Sequence, residues 1–141
     1  MSTPYGGLTG KTKTLGLDYS VAGLLAYLPI CCIHVICSII WLVSEPKENK
    51  VLRFHSMQSL LLVGVAAVFY GALWILQITL MAGAGAVDSA GAAVGGGILL
   101  LLLWLVLGGV LLIVDIIAMV KAYQGQIWKI PIIGNIADKN T

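Results

Sequence analysis

Asp115 is the residue whose type and place most constrain the chemistry of this chain. It lies inside the apolar run from Ile98 to Ala122, and a carboxylate within a membrane-crossing helix costs about 2.5 to 3.5 kcal/mol on an insertion scale unless it faces protein or water. At a rise of 1.5 Å per residue it lies about 9 Å inside Lys121. A second helix reaches that depth near Gln58 and Ser59, and a first near Ser38. The expectation is an intramembrane polar cluster of Ser38, His55, Gln58, Ser59 and Asp115 with Arg53 at its rim. Hydrogen bonding between helices is the duty these types favour.

His34 is the other candidate. Cys31, His34, Ser38 and Trp41 recur at steps of three and four along one helical face. A set of Cys31, His34 and Cys37 spreads over about 120° of the helix cylinder, wide for one tetrahedral ion, and offers no fourth ligand. His34 and His55 fall at different depths, which disfavours a haem. No nucleophile elbow, phosphate loop, carboxylate pair or zinc-protease motif is present. The reading is therefore no catalytic, cofactor or metal site, and no enzyme. Gly83, Gly85 and Asp88 make no dinucleotide loop, because Asp88 stands where the third glycine belongs.

The elements that must position these residues are apolar. Hydrophobic residues make up 60% and charged residues 10% of the 141, against roughly a quarter charged in soluble domains, and the mean hydropathy is +1.01. A net charge of +2 without basic and aromatic interleaving excludes nucleic-acid binding. The fold expected is all-α, an integral membrane bundle of three transmembrane helices with a Gly/Ala-rich outer loop and an interfacial C-terminal segment.

Residues 1–19 read as a polar N-terminal segment without the order of a cleavable signal. Residues 20–122 read as the transmembrane domain, with spans at about 20–43, 50–81 and 98–122. Residues 123–141 read as a cytoplasmic interfacial tail. Pro29 should kink the first span, with Tyr19, Tyr27 and Trp41 as interfacial aromatics. Asn49 can cap the second helix. Residues 83–97 read as a loop or re-entrant hairpin, and Gly125 suits a helix C-terminus. Arg53, Trp128 and Lys129 read as interfacial anchors. Gly64, Ala67 and Gly71, with Gly108 and Gly109, read as helix-packing positions.

Orientation follows from the cations. Lys47, Lys50, Arg53, Lys121, Lys129 and Lys139 fall on the side of the charged turn and tail, against Lys11 and Lys13 on the other. The N-terminus is then expected outside and the C-terminus in the cytoplasm, with a bacterial inner membrane as the place.

Two stretches are more distinctive. The run Val51, Leu52, Arg53, Phe54, His55, Ser56, Met57, Gln58, Ser59, Leu60, Leu61, Leu62 resembles the "VRFNAMQA" signature of the chloroplast inner-envelope import (Tic) component of about twenty kilodaltons. The tail run Lys121, Ala122, Tyr123, Gln124, Gly125, then Lys129 to Ile136, looks like the end of its small bacterial relatives, and Tyr27 to Ile30 add a weaker match. Magnetosome membrane proteins of the MamF kind look similar too. The resemblance implies a preprotein channel component in plastids and organelle assembly in magnetosomes. Three expected spans depart from the four of the plastid pattern.

The function these features favour is an accessory or scaffolding subunit, related to protein import or assembly, that contacts the lipid bilayer and binds other membrane proteins or its own copies. A transport channel or translocon component and a cofactor-binding redox subunit are the alternatives.

Overall fold

A computed structural model describes residues 10–30, 32–86 and 90–141. Among them the elements are helical: α1 (Tyr19–Leu25), α2 (Ile33–Ser44), α3 (Lys50–Ala86), α4 (Ala90–Tyr123) and α5 (Ile133–Lys139). One isolated bridge joins Lys11 and Asp18. Two of the helices, α3 and α4, are long and apolar enough to cross a bilayer. The chain forms two compact units, one gathering the chain up to Val63 with Ile113–Thr141, the other Gly64–Leu112.

In the first unit, the expected first span is not a single helix. It is divided into α1 of 7 residues and α2 of 12, neither of which reaches across about 30 Å of hydrocarbon. Pro29 lies in the break, and its ring forbids the backbone bond and crowds the preceding turn, so the effect is a break rather than a kink. The head and the charged turn are also brought together. The Lys13 amide donates to the Glu45 carboxylate at 2.7 Å, so these two segments touch, where the three-span reading set them apart. Residues 12–17 close a tight loop through Thr12 N–H to Leu17 O at 2.6 Å and Leu17 N–H to Thr12 Oγ1 at 3.0 Å.

Tyr27 and Trp41, expected at the interface, are instead in the core at 1% and 0% exposure. Ala22, Ala26, Val51, Leu52, Ala118 and Ala122 surround them, with Leu17 and Trp128 packed alongside. Alanine at four of these positions lets α1, α3 and α4 approach closely around two large rings. Tyr19 is part-buried, and burial pushes its hydroxyl pKa up, as does the Glu45 carboxylate.

Asn49 begins α3, its Oδ1 accepting from Leu52 N–H at 3.4 Å, the geometry of an N-cap. At the far end of α4, Gly125 has φ 68. Gly125 N–H bonds Ala122 O at 3.0 Å and Gln126 N–H bonds Lys121 O at 2.9 Å. Those two bonds are a Schellman closure, which needs a left-handed residue at that place.

The second unit holds the 64–86 part of α3 and the 90–112 part of α4, each about 34 Å long at 1.5 Å per residue. The glycine-rich segment is not a loop or re-entrant hairpin over most of its length. Helix covers it on both sides of residues 87–89, which fall outside the described residues together with Asp88. Glycine costs about 1 kcal/mol against alanine in a helix, but in hydrocarbon a helix is the only open-chain form that satisfies the backbone internally. Within this unit the Tyr70 and Trp104 rings stack at 4.9 Å.

Candidate functional site

The polar residues of the first unit converge on Gln58. Its Nε2 donates to the Tyr27 hydroxyl at 3.0 Å and to the Trp128 carbonyl at 3.1 Å, and its Oε1 accepts from Ile130 N–H at 3.1 Å. One helical turn earlier, His55 Nε2 lies 3.0 Å from the Gln126 carbonyl and Nδ1 lies 3.2 Å from the Tyr27 hydroxyl.

These contacts fix every proton in the set. A carbonyl only accepts, so His55 carries its proton on Nε2, and Nδ1 accepts from Tyr27. Tyr27 in turn accepts from Gln58. His55 and Gln58 are fully buried, where a polar group left unpaired costs about 1 to 3 kcal/mol. Each pairs through all its polar atoms. The arrangement holds backbone: two side chains three residues apart on α3 grip alternate residues 126, 128 and 130 of the segment that leaves α4.

The remaining expected members occupy different places. Ser38 and Ser59 both donate to the Ala26 carbonyl, Ser38 at 3.4 Å and Ser59 in a shorter bond. That carbonyl closes α1 and would otherwise be an orphan of the helix end. Asp115 takes no part in the hydrogen bonds around Gln58. It is part-buried. The Nδ1 of His34 is buried without a hydrogen-bond partner. Cys31 lies outside the described residues, and among those described no three His, Cys, Asp or Glu side chains gather as a metal group would require.

Arg53 has a second duty beside the anchoring expected of it. Its Nη1 donates to the Leu42 carbonyl at 2.5 Å and the Glu45 carbonyl at 3.1 Å, satisfying acceptors at the end of α2. Trp128 packs on the core, and Lys129 pairs with Asp138 at 2.7 Å. In the second unit the space around Gly64, Gly71 and Gly109 is open, with nothing within 4 Å of an added Cβ, whereas at Gly108 the Tyr70 hydroxyl is 3.4 Å away. Gly64, Ala67 and Gly71 are exposed. Of the four glycines among the expected packing positions, Gly108 alone meets a neighbour among the described residues at that range.

Three participants have no mark in the sequence pattern. Tyr27 reads as an interfacial aromatic, the tail supplies backbone rather than side chains, and Gly134 reads as an ordinary glycine. A Cβ on Gly134 would sit 2.6 Å from Lys129 Cα and 2.8 Å from Gln58 Oε1. The spacing of His55 and Gln58, one helical turn apart beside a run rich in isoleucine, is the signal that was available.

The residues bonded around Gln58, from Tyr27 to Ile130, lie within the match to a family model described as the magnetosome magnetite crystal formation protein family, MamF/MmsF, which covers residues 14–137. The chain belongs to this family. A UPF0132 membrane protein of Methanocaldococcus jannaschii is 36% identical over 133 residues, covering 92% of this chain and 94% of that protein. A second from the same organism is 30% identical over 129 residues, covering 92% and 74%. One from Archaeoglobus fulgidus is 30% identical over 120 residues, covering 85% and 92%. No solved structure matches. As a MamF/MmsF family member with two long apolar helices, the chain is a small membrane protein. The likeness to the plastid import component rests on the quoted motif alone.

Proposed function

We propose that this MamF/MmsF family member is a membrane-embedded assembly module, without catalytic activity of its own, that associates through α3 and α4 with other membrane proteins or with further copies of itself. The observation that carries the proposal is the open small-residue stripe on α3. Gly64, Ala67 and Gly71 recur at steps of three and four, are exposed, and have no neighbour near the two glycines. In hydrocarbon, close backbone approach at such a stripe is a main source of helix association. The family is described by magnetite crystal formation; for this chain the residues support a part in building a membrane assembly more than holding an ion, because among the described residues no three His, Cys, Asp or Glu side chains gather.

In the topology that goes with this reading, α3 and α4 cross the bilayer and α1–α2 is a short hairpin that returns to the face it left. All eight Lys and Arg residues belong to the first unit, so the positive-inside rule puts that unit on the cytoplasmic side of the inner membrane. The test is native mass spectrometry after gentle extraction, on the wild type and on Gly64→Leu with Gly71→Leu. The expected result is an assembly in the wild type that is lost in the double variant. A wild type that is monomeric and carries no other protein overturns the proposal.

A further inference from the structure

In the first unit, the burial of α2 is the reverse of what water selects. Its inward face carries Ser38 and Trp41, both at 0% exposure, while Ile33, Ile36, Ile39 and Val43 stand 48 to 81% exposed at steps of three and four. No charged side chain lies between Ile33 and Ser44. On a helix that faces water, isoleucine belongs inside and serine outside.

The neighbours of α2 fix its depth. It runs antiparallel to the start of α3, since Arg53 bonds the Leu42 and Glu45 carbonyls and Ser59, further along α3, shares the Ala26 carbonyl with Ser38. Trp41 packs with Ala118 and Ala122 of α4. Beside those alanines Ile113, Ile116, Ile117 and Val120 form an exposed apolar face that stops at Lys121. Crossing hydrocarbon takes about 20 residues, so a crossing helix whose end is marked by Lys121 holds these four in the oil. α2 lies at their level, and its 12 residues reach about 18 Å, a little over half the hydrocarbon thickness.

We infer that α2 is a half-depth helix immersed in the cytoplasmic leaflet, with lipid acyl chains as the partner of Ile33, Ile36, Ile39 and Val43. The level shared with the exposed face of α4 selects acyl chains over water. The outward residues select them over protein, because the face has neither the small residues nor the polar groups through which helices associate in a bilayer. Lys47 and Lys50, exposed in the turn that follows α2, then stand among the phosphate headgroups, which favour cations. This inference rests on the crossing of α3 and α4 in the reading above and adds a third element to the oil.

The experiment attaches a nitroxide to single cysteines, Ile36→Cys, Ile39→Cys, Val43→Cys, Ile116→Cys and Lys47→Cys, in full-length chains whose Cys31, Cys32 and Cys37 are replaced by alanine. The chains are held in vesicles of phosphatidylcholine with phosphatidylglycerol. Power saturation compares collisions with oxygen, which gathers in the oil, and with a nickel chelate, which stays in water. The expected result is that labels at Ile36, Ile39 and Val43 meet oxygen and lose the nickel effect, as the label at Ile116 does, whereas the label at Lys47 meets nickel. Depth should grow from Val43 to Ile36 by up to about 10 Å. A second measurement leaves the isoleucines in place. With Cys32, which is exposed at the deep end of α2, as the single cysteine kept, a water-soluble maleimide should react more slowly in vesicles than it does with Lys47→Cys.

A label at Ile36 as open to nickel as that at Lys47 overturns the inference. So does one closed to both probes, since protein rather than lipid then covers the face. If the label at Ile116 lies in oil while that at Ile36 lies in water, α2 alone leaves the membrane and the assembly reading stands. If the label at Ile116 also meets nickel, the crossing of α4 fails and takes both readings with it.

Discussion

The two units solve the membrane's polar problem in opposite ways. In the first, the buried polar atoms of His55 and Gln58 are paired within the chain, down to a single arrangement of protons. In the second, the helices carry exposed Val68, Trp74, Ile75, Leu105 and Val106, and the Gln77 amide has no hydrogen-bond partner among the described residues. The first unit pairs the polar atoms at its centre within the chain, although His34 Nδ1 and Ser56 Oγ are buried there without a partner, whereas the second exposes large apolar side chains to its surroundings. Substitutions in the first should therefore register as stability, and those in the second as association.

Gln58→Leu should do most to break that contrast. It removes three hydrogen bonds and strands the Trp128 carbonyl and the Ile130 amide, for a loss of about 3 to 5 kcal/mol when each buried orphan costs about 1 to 3. Limited proteolysis in detergent should then cut between residues 124 and 133, and a tail as resistant as in the wild type would contradict the gripping role. Gly134→Ala should come next, because its Cβ would meet Lys129 backbone. Overpacking of this kind costs about 1 to 3 kcal/mol, read as a lower midpoint of thermal unfolding with the same tail exposure.

Ser59→Ala should cost about 1 kcal/mol, and Ser38→Ala less, since the second serine still serves the Ala26 carbonyl. A double variant more than additively damaged would show that the two share the acceptor. Gly71→Ala should be the mildest, within about 0.5 kcal/mol, as expected for a surface site away from special features. A large loss of monomer stability there would erase the distinction between the units.

The long helices were legible because apolar length is a property of composition, and Asn49 and Gly125 because their caps follow from local chemistry. Of the polar candidates His55 and Gln58 meet at the Tyr27 hydroxyl and Ser38 and Ser59 at the Ala26 carbonyl, while Asp115 shares none of these hydrogen bonds. The first span failed for a physical reason. Residues 20–43 are apolar enough on average to read as one span, and what breaks them is one proline together with two serines that donate to the freed carbonyl at the end of α1. The glycine-rich stretch failed in the other direction, since propensities measured in water underrate the need for internal hydrogen bonds in lipid. Nothing in the side-chain pattern could reveal that the tail contributes its backbone.

Ile132 has φ 69 and ψ −61, and Ile133 N–H closes on the Pro131 carbonyl at 2.9 Å, a γ-turn of the uncommon hand. A branched side chain in that conformation costs on the order of 1 to 3 kcal/mol, yet this one is 76% exposed. Ile132→Gly should raise the unfolding midpoint, and an unchanged midpoint would show that the turn stores no strain.

The bond from Lys13 to Glu45 has a consequence for biogenesis. If everything before α3 and everything after α4 share one compartment, as in the proposed topology, the chain can enter the bilayer as a single helical hairpin, and a reporter fused to either terminus would light up in the same aqueous space.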